Sequence, residues 1–291
     1  CYITRTTEET YRVIVDNIGK SALVAGYITG TGPRYCRSIE DKISKFPDKI
    51  THKVFLEPEG VLSTEIYLQG LSTSLPEDVQ EEYVRTLPGH ADAVITRPGY
   101  GIEYDVIDPL DLYPTMMSRS IRNLFLAGQI NGTSGYEEAA AQGLLAGLNA
   151  AAILRGDTPL VLSPQNSYLG LMIEEITTTG IVEPYRVFTS RSPFRLQLRM
   201  SNAEERLSEY GRQYRVLSEE KFAWLEKRQL HLQKLEDRFN DVSLTPAQLP
   251  KILPEFANPV MHSSASLAQL LRRPEAELTS FLKLVPEVEE L

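Results

Sequence analysis

The sequence predicts an α/β domain over residues 1–160 followed by an all-α domain over residues 161–291. Three observations predict it. The apolar run Leu124–Ala127 leads through the small polar loop Gly128-Gln-Ile-Asn-Gly-Thr-Ser-Gly135 into a helix rich in Ala, Gly and Leu from Tyr136, a strand–loop–helix unit. Short apolar runs divided by Pro and Gly turns precede that unit. Beyond a Pro- and Ser-containing linker at 155–170, long charged segments carry helical apolar spacing.

Each element has a local cause. Tyr2–Thr4 reads as a strand. Thr7–Asn17 reads as a helix, with Thr6 or Thr7 as cap, Glu8 and Glu9 in the first turn and Gly19 at the stop. Gly30-Thr-Gly-Pro33 makes an exposed bend, and Ser38-Ile-Glu-Asp41 has the form of a helix start. Val54–Leu56 is a buried run, Glu57–Gly60 a turn and Thr64–Leu68 another strand. A helix begins at Ser74-Leu-Pro76, where the missing N–H of proline costs little, and ends near Leu87-Pro-Gly89. From Ile102 to Ile107 a strand would put Glu103 and Asp105 on one face and Ile102, Tyr104 and Val106 on the other. Tyr168–Thr179 reads as a helix ended by Gly180. Residues 218–240 form a long charged helix with an apolar stripe through Phe222, Leu225, Leu230, Leu232, Leu235 and Phe239. Helices from Thr245-Pro, Ser266 and Pro274 complete the tail.

A hydrophobic content of 42% is enough for real cores. No apolar run approaches the ~18 residues of a membrane span. Two cysteines fit a reducing, cytoplasmic setting rather than a disulfide framework. The net charge of −9 argues against broad nonspecific binding to nucleic acid and leaves room for a local basic patch. The chain opens on Cys1 and closes on Glu289-Glu-Leu291 within a helical pattern, so it is expected to be the middle and later part of a longer protein.

The helix from Tyr136 aims free N–H groups and its positive dipole end at whatever lies above the loop, an anion site in principle. Ala139, Ala140, Gly143, Ala146, Gly147 and Ala150 recur at spacings of three and four. They leave a bare face for a flat cofactor or for tight packing on a sheet. Cys36, near a helix N-terminus and flanked by Arg34 and Arg37, is placed to ionise below the free value of ~8.5. The other reading is a buried structural thiol. Arg186, Arg191, Arg195 and Arg199 recur every four to five residues with Tyr185, Phe188 and Phe194 interleaved. That stripe suits phosphates and stacked bases, or salt bridges to Glu183, Glu204 and Glu205. No metal site is expected: the four histidines are scattered, and Glu103 with Asp105 alone does not make one. Ser134 fails the pattern of a nucleophile elbow.

The run Ala127-Gly-Gln-Ile-Asn-Gly-Thr-Ser-Gly-Tyr-Glu-Glu-Ala-Ala-Ala-Gln-Gly143 resembles the signature of the MnmG (GidA) family, flavoproteins that modify the wobble uridine of certain tRNAs. Further blocks resemble it in order: Gly32–Lys42, Phe55–Gly60, Gly70–Pro76, Arg97–Asp105 and Glu183–Arg191. The resemblance spans most of residues 1–210. It implies a partial Rossmann-like FAD/NAD(P)-binding flavoprotein without its N-terminal Gly-x-Gly-x-x-Gly fingerprint.

For the site, the resemblance implies FAD contacts from Gln129 and from backbone donors at Gly128, Asn131, Gly132, Thr133 and Gly135. It implies NAD contacts from Gly32, Pro33, Arg34, Tyr35, Cys36, Arg37, Ser38, Ile39, Glu40, Asp41, Lys42, Ile43, Ser44, Lys45 and Phe46, with Cys36 catalytic. The four arginines at 186, 191, 195 and 199 are the expected tRNA contacts. NADH and methylenetetrahydrofolate are the expected co-substrates, and the GTPase MnmE, tRNA and a second copy of the chain the expected partners. The sequence departs from the family at Arg37, usually Pro, at Leu68-Gln69, at Ser192-Pro-Phe194 and at Ser201, usually Asp. A related flavin- and folate-dependent tRNA methyltransferase, or a helical docking module with an empty cofactor half-site, are the alternatives.

Overall fold

The structure, a computed structural model, describes residues 1–30, 37–253 and 263–285. The chain forms two compact units, Cys1–Arg195 and Leu196–Leu291.

The first unit opens on an antiparallel sheet of β1 (Tyr2–Arg5), β2 (Lys53–Pro58) and β3 (Ile66–Gln69), in that order. Ile3 pairs with Phe55, and Leu56 with Leu68. The short β2–β3 connection around Gly60 permits only antiparallel pairing. The excursion between β1 and β2 carries α1 (Glu8–Asn17) and α2 (Ile39–Lys45). Thr7 caps α1: its hydroxyl accepts the Thr10 N–H at 3.1 Å, and the Thr10 hydroxyl accepts the Thr7 N–H at 3.0 Å. Ser38 caps α2 by accepting the Asp41 N–H at 3.2 Å. With α3 (Glu77–Arg85), these elements close a core around Ile14, Ile39, Val54, Val79 and Tyr83.

Two expected strands do not form. Residues 102–106 join no ladder, and Leu124–Ala127 makes a single antiparallel bridge, Met117 to Phe125. The Leu126 N–H donates to Met116 O at 3.1 Å, and Leu124 O accepts the Ser118 N–H at 2.8 Å. A strand inside a parallel sheet takes ladder bonds on both edges; this segment takes them from 116–118 alone among the described residues. The expected Rossmann-like parallel sheet is therefore not formed among the described residues. The one parallel pairing there is the bridge between Thr133 and Tyr185.

α4 (Tyr136–Arg155) follows the glycine loop, and α5 (Tyr168–Thr178) packs beside it. The stretch read as a linker is bonded to α4. Asn149, fully buried, donates through Nδ2 to Leu160 O at 2.9 Å and accepts the Leu160 N–H at 2.5 Å. The first compact unit accordingly runs past the expected boundary at 160–161 to Arg195.

The second unit is largely helical: α6 (Ala203–Gln213), α7 (Glu219–Asp241), α8 (Leu249–Ile252), α9 (Leu267–Leu271) and α10 (Leu278–Leu282). It is not all-α. Ser243–Leu244 (β4) pairs antiparallel with Ala265–Ser266 (β5), which brings Leu244 into a core with Phe239, Leu249, Leu267 and Phe281. In α7 the expected stripe is buried at Phe222, Leu225 and Phe239, whereas Leu230 and Leu232 stay about half exposed. No helix among the described residues is long and apolar enough to cross a membrane.

Candidate functional site

The loop between Ala127 and α4 is a 3-10 turn, Gln129–Asn131, set between two glycines with positive φ, Gly128 at 90° and Gly132 at 76°. Both positions favour glycine on backbone grounds. At Gly132 space adds to the demand, because a Cβ would stand 2.8 Å from Ile181 Cδ1.

One side chain holds the loop to the helix that follows. Gln142, buried on α4, accepts through Oε1 from the Gly128 N–H at 3.0 Å and from Asn131 Nδ2 at 2.8 Å. Its Nε2 donates to Thr133 Oγ1 at 2.8 Å, and that hydroxyl donates to Gly128 O at 3.1 Å. Asn131 Nδ2 also donates to Leu126 O at 2.9 Å. The Asn131 N–H is taken by Gly128 O and the Gly132 N–H by Gln129 O.

The inner side of the loop is therefore committed. Gly128, Asn131, Gly132 and Thr133 are buried, whereas Gln129 and Ile130 are exposed and Gly135 is half-buried. α4 begins beyond it with no side-chain cap, and Tyr136 and Glu137 in its first turn are exposed. A helix start without a cap leaves N–H donors for an outside acceptor. On the outward face of α4, Ala140, Gly143 and Gly147 are exposed, and a Cβ at either glycine would meet nothing within 4 Å. An uncapped helix start, a polar rim at Gln129 and an uncharged flat face together suit the electron-rich edge and plane of an aromatic cofactor.

Beside this opening sits a buried carboxylate. Glu138 is 3% exposed; its Oε1 accepts the Val187 N–H at 2.8 Å and Arg186 Nε at 3.2 Å, and its Oε2 is buried without a partner. The segment around Tyr185 docks on the back of the loop: the Tyr185 N–H donates to Gly132 O at 2.9 Å, and the Ser134 N–H to Tyr185 O at 3.1 Å. The Tyr185 hydroxyl donates to the Glu175 carboxylate. Burial, then Glu175, pushes the tyrosine pKa well above its ordinary value.

The model of the family described as glucose inhibited division protein A matches residues 1–158. The chain belongs to that family. A tRNA uridine 5-carboxymethylaminomethyl modification enzyme MnmG from Bdellovibrio bacteriovorus is 49% identical, over 94% of this chain and 43% of its own length. One of the same name from Heliobacterium modesticaldum is 47% identical, over 100% of this chain and 46% of its own. The solved Aquifex aeolicus GidA, in its form II crystal, superposes with a TM-score of 0.78 at 41% identity, over all of this chain and 48% of its own. The chain spans about half the length of the curated relatives it matches.

The other expected contacts of this GidA-family chain divide differently. Gly32 to Cys36 lie outside the described residues. Arg37 to Phe46 run from just before α2 to just after it, where Arg37 Nη1 and Lys45 Nζ meet the Asp41 carboxylate at 2.8 and 3.0 Å. Partial burial works to raise the Asp41 pKa, and the hydrogen bonds from Lys45 and Arg37 outweigh it, so the net shift is downward. Glu40, fully buried, accepts the Ser74 N–H at 2.7 Å and the Ser74 hydroxyl at 2.8 Å, which fixes the start of α2 to the 72–74 turn. Glu103, the residue of the failed strand, accepts the N–H groups of Thr29 and Gly30 at 2.7 and 2.6 Å. Those two bonds, Gly30 first, hold its carboxyl below the usual range.

The arginines do not share a helical face. Residues 183–199 form no α-helix, only a 3-10 turn at Thr189–Arg191 among turns and extended pieces, because Pro184 and Pro193 interrupt the helical spacing. Arg186 pairs with Glu138, and Arg191 Nη1 lies 3.6 Å from Glu175 while its guanidinium stacks over Tyr185. Arg195 is exposed at the end of the first unit, and Arg199 belongs to the second, bonded to Leu196 O at 2.8 Å. Sequence reasoning passed over Gln142, Glu138 and Asn149. Their signal was present: they are polar residues at 138, 142 and 149, on one side of an otherwise Ala- and Leu-rich helix. No cluster of metal-ligating side chains occurs among the described residues.

Proposed function

We propose that this chain carries the glycine-loop part of an FAD-dependent enzyme of the cytoplasm that modifies the wobble uridine (U34) of tRNA. The modification adds a carboxymethylaminomethyl or aminomethyl group at C5. The observation that carries the reading is the loop 128–135, whose inner groups are locked while Gln129 and the uncapped start of α4 face outward. The names of the relatives supply the reaction.

When bound, the flavin, kept reduced by NADH, would supply the transfer of a methylene from methylenetetrahydrofolate to C5, and an amine such as glycine or ammonium would complete the side chain with no net reduction of that carbon. The residues of this chain then have distinct tasks. Gln129 would hold the flavin through its side chain, and the free N–H groups of the first turn of α4 would donate to it. The block from Gly32 to Phe46 takes the nicotinamide cofactor. Cys36 adds to uridine C6, or removes a proton, to make C5 nucleophilic. Arg186, Arg191, Arg195 and Arg199 meet tRNA phosphates, and the helical second unit docks the GTPase MnmE within a homodimer.

The test is mass analysis of tRNA nucleosides in cells whose only copy of the intact protein is the one carrying this sequence. The modified U34 is expected with the native protein and its loss with Cys36→Ala. Full modification by the Cys36→Ala protein removes the role of the thiol. A 5-methyluridine product instead identifies the methyltransferase reading.

A further inference from the structure

We propose that Gln142 is the positioning residue of the flavin loop: it fixes the inner side of residues 126–133 so that Gln129 and the start of α4 stand outward. This rests on reading loop 128–135 as the flavin site. Gln142 itself is completely buried, so it acts through the loop and not by contact.

The hydrogen-bond directions leave one arrangement. The Gly128 N–H can only donate, so the Gln142 carbonyl must face it, at 3.0 Å. The same oxygen receives Asn131 Nδ2 at 2.8 Å. The Gln142 amide nitrogen is then turned to Thr133 Oγ1 at 2.8 Å, and the threonine hydroxyl, having accepted, directs its own proton to Gly128 O at 3.1 Å. The ring closes on the peptide groups either side of Gly128, the residue whose φ of 90° turns the chain into the loop.

Asn131 extends the ring to Leu126 O, at 2.9 Å, and leaves its own Oδ1 buried and unpaired. Flipping that amide to satisfy Oδ1 would set it against two acceptors, Leu126 O and Gln142 Oε1. A buried orphan acceptor is unfavourable; it is retained here because the opposite end of the same side chain holds the loop.

Gln142→Leu keeps the volume and removes all three bonds. Gln142→Glu keeps the shape and the two bonds to Oε1. It turns the remaining atom into an acceptor, which draws the Thr133 proton away from Gly128 O and places negative charge beneath the loop. Both variants are made in the intact protein carrying this sequence. Flavin affinity and absorption spectrum, the flavin reduction potential and deuterium uptake of the 124–135 peptide are measured, with far-UV circular dichroism as the check on folding.

The leucine variant is expected to bind flavin about tenfold more weakly or worse, with a shifted spectrum and faster exchange in 124–135. The glutamate variant is expected to lose less affinity and to show a more negative potential, because charge near the ring opposes its reduction. If the leucine variant fails to fold, the potential and exchange of the glutamate variant decide. Unchanged affinity, spectrum and exchange in the variants overturn the proposal. If the unsubstituted protein binds no flavin, the flavin reading fails by itself; exchange in 124–135 still judges Gln142, faster exchange supporting its hold on the loop and unchanged exchange refuting it.

Discussion

Gly135→Ala isolates the buried carboxylate at the start of α4. The backbone at Gly135 is extended, φ −119° and ψ 151°, which any residue adopts, so conformation is not the obstacle. Space is. A Cβ there would stand 1.6 Å from Glu138 Oε2 and 2.6 Å from its Cδ, so the carboxylate must leave its seat. It would forfeit the Val187 N–H at 2.8 Å and Arg186 Nε at 3.2 Å. Breaking a fully buried pair costs about 3–5 kcal/mol. Arg186 is 35% exposed, so solvent recovers part of that, and a loss of about 2 kcal/mol is expected.

The assay is urea unfolding of the first unit, followed by far-UV circular dichroism and by hydrogen exchange in α4. The chain has a single tryptophan, Trp224, in the second unit. Its fluorescence reports the second unit separately. In a Glu138→Ala background the obstruction is gone, and Gly135→Ala should cost only the cap difference between Gly and Ala, about 0.5 kcal/mol. The double-mutant cycle should thus return a coupling of about 1.5 kcal/mol. Equal costs in the two backgrounds would refute the reasoning, as would a cost in the native background no larger than the cap difference.

Two further outcomes follow from the same geometry. Gly143→Ala and Gly147→Ala fill open space on the outer face of α4; in this chain each should stabilise the first unit by about 0.5–1 kcal/mol, and a loss of thermal stability would show that the face is covered. His52 is buried with Nε2 unpaired, and burial first, then Lys42 and Lys49, holds its pKa below the ordinary value. The unfolded chain therefore takes up the proton more readily. The stability from neutral His52 is full above about pH 6.5 and is lost as pH falls from there through the folded-state value. His52→Gln should flatten the fall in melting temperature between neutral and mildly acidic pH; an equally steep profile in the variant would assign that fall to other groups.

Several helix starts were legible because each is written in one or two residues, whereas α8 begins at Leu249 and α10 at Leu278 rather than at Thr245-Pro and Pro274, and α6 was not expected. Thr7, Ser38, Ser218 and Ser266 all cap as their hydroxyls dictate. The turn into α4 was legible for the same reason, since small residues with a glycine at each bend state their φ values in advance. The orientation of α4 was not. Ala and Gly carry almost no signal for inside or outside, so the stripe at 139, 140, 143, 146, 147 and 150 could not tell its two sides apart. The structure puts Ala146 inside and Gly143 and Gly147 outside. The arginine stripe misled through its spacing, which prolines at 184 and 193 interrupt. Residues 102–106 misled through alternation alone, because Glu103 spends its carboxylate on the backbone of Thr29 and Gly30 rather than on a strand face.

These errors share a physical origin that bears on how the site works. Periodicity locates elements by assuming that buried means apolar. Around the loop and along α4, buried polar side chains include Gln142, Asn131, Thr133, Glu138 and Asn149. Each meets a backbone group outside the α-helices and sheet ladders: Gly128 N and O, Leu126 O, Val187 N, and Leu160 N and O. A tight turn pairs only some of its own peptide groups, so a loop held still enough to bind must borrow further partners from side chains. The polar residues are consumed on the inside, and what remains for a ligand is a glutamine rim, a helix start and a bare helix face. A site built that way presents few side chains to substitute. Its sensitive positions should therefore lie one layer behind the surface, at Gln142 and Glu138, rather than among the exposed residues that a ligand would touch.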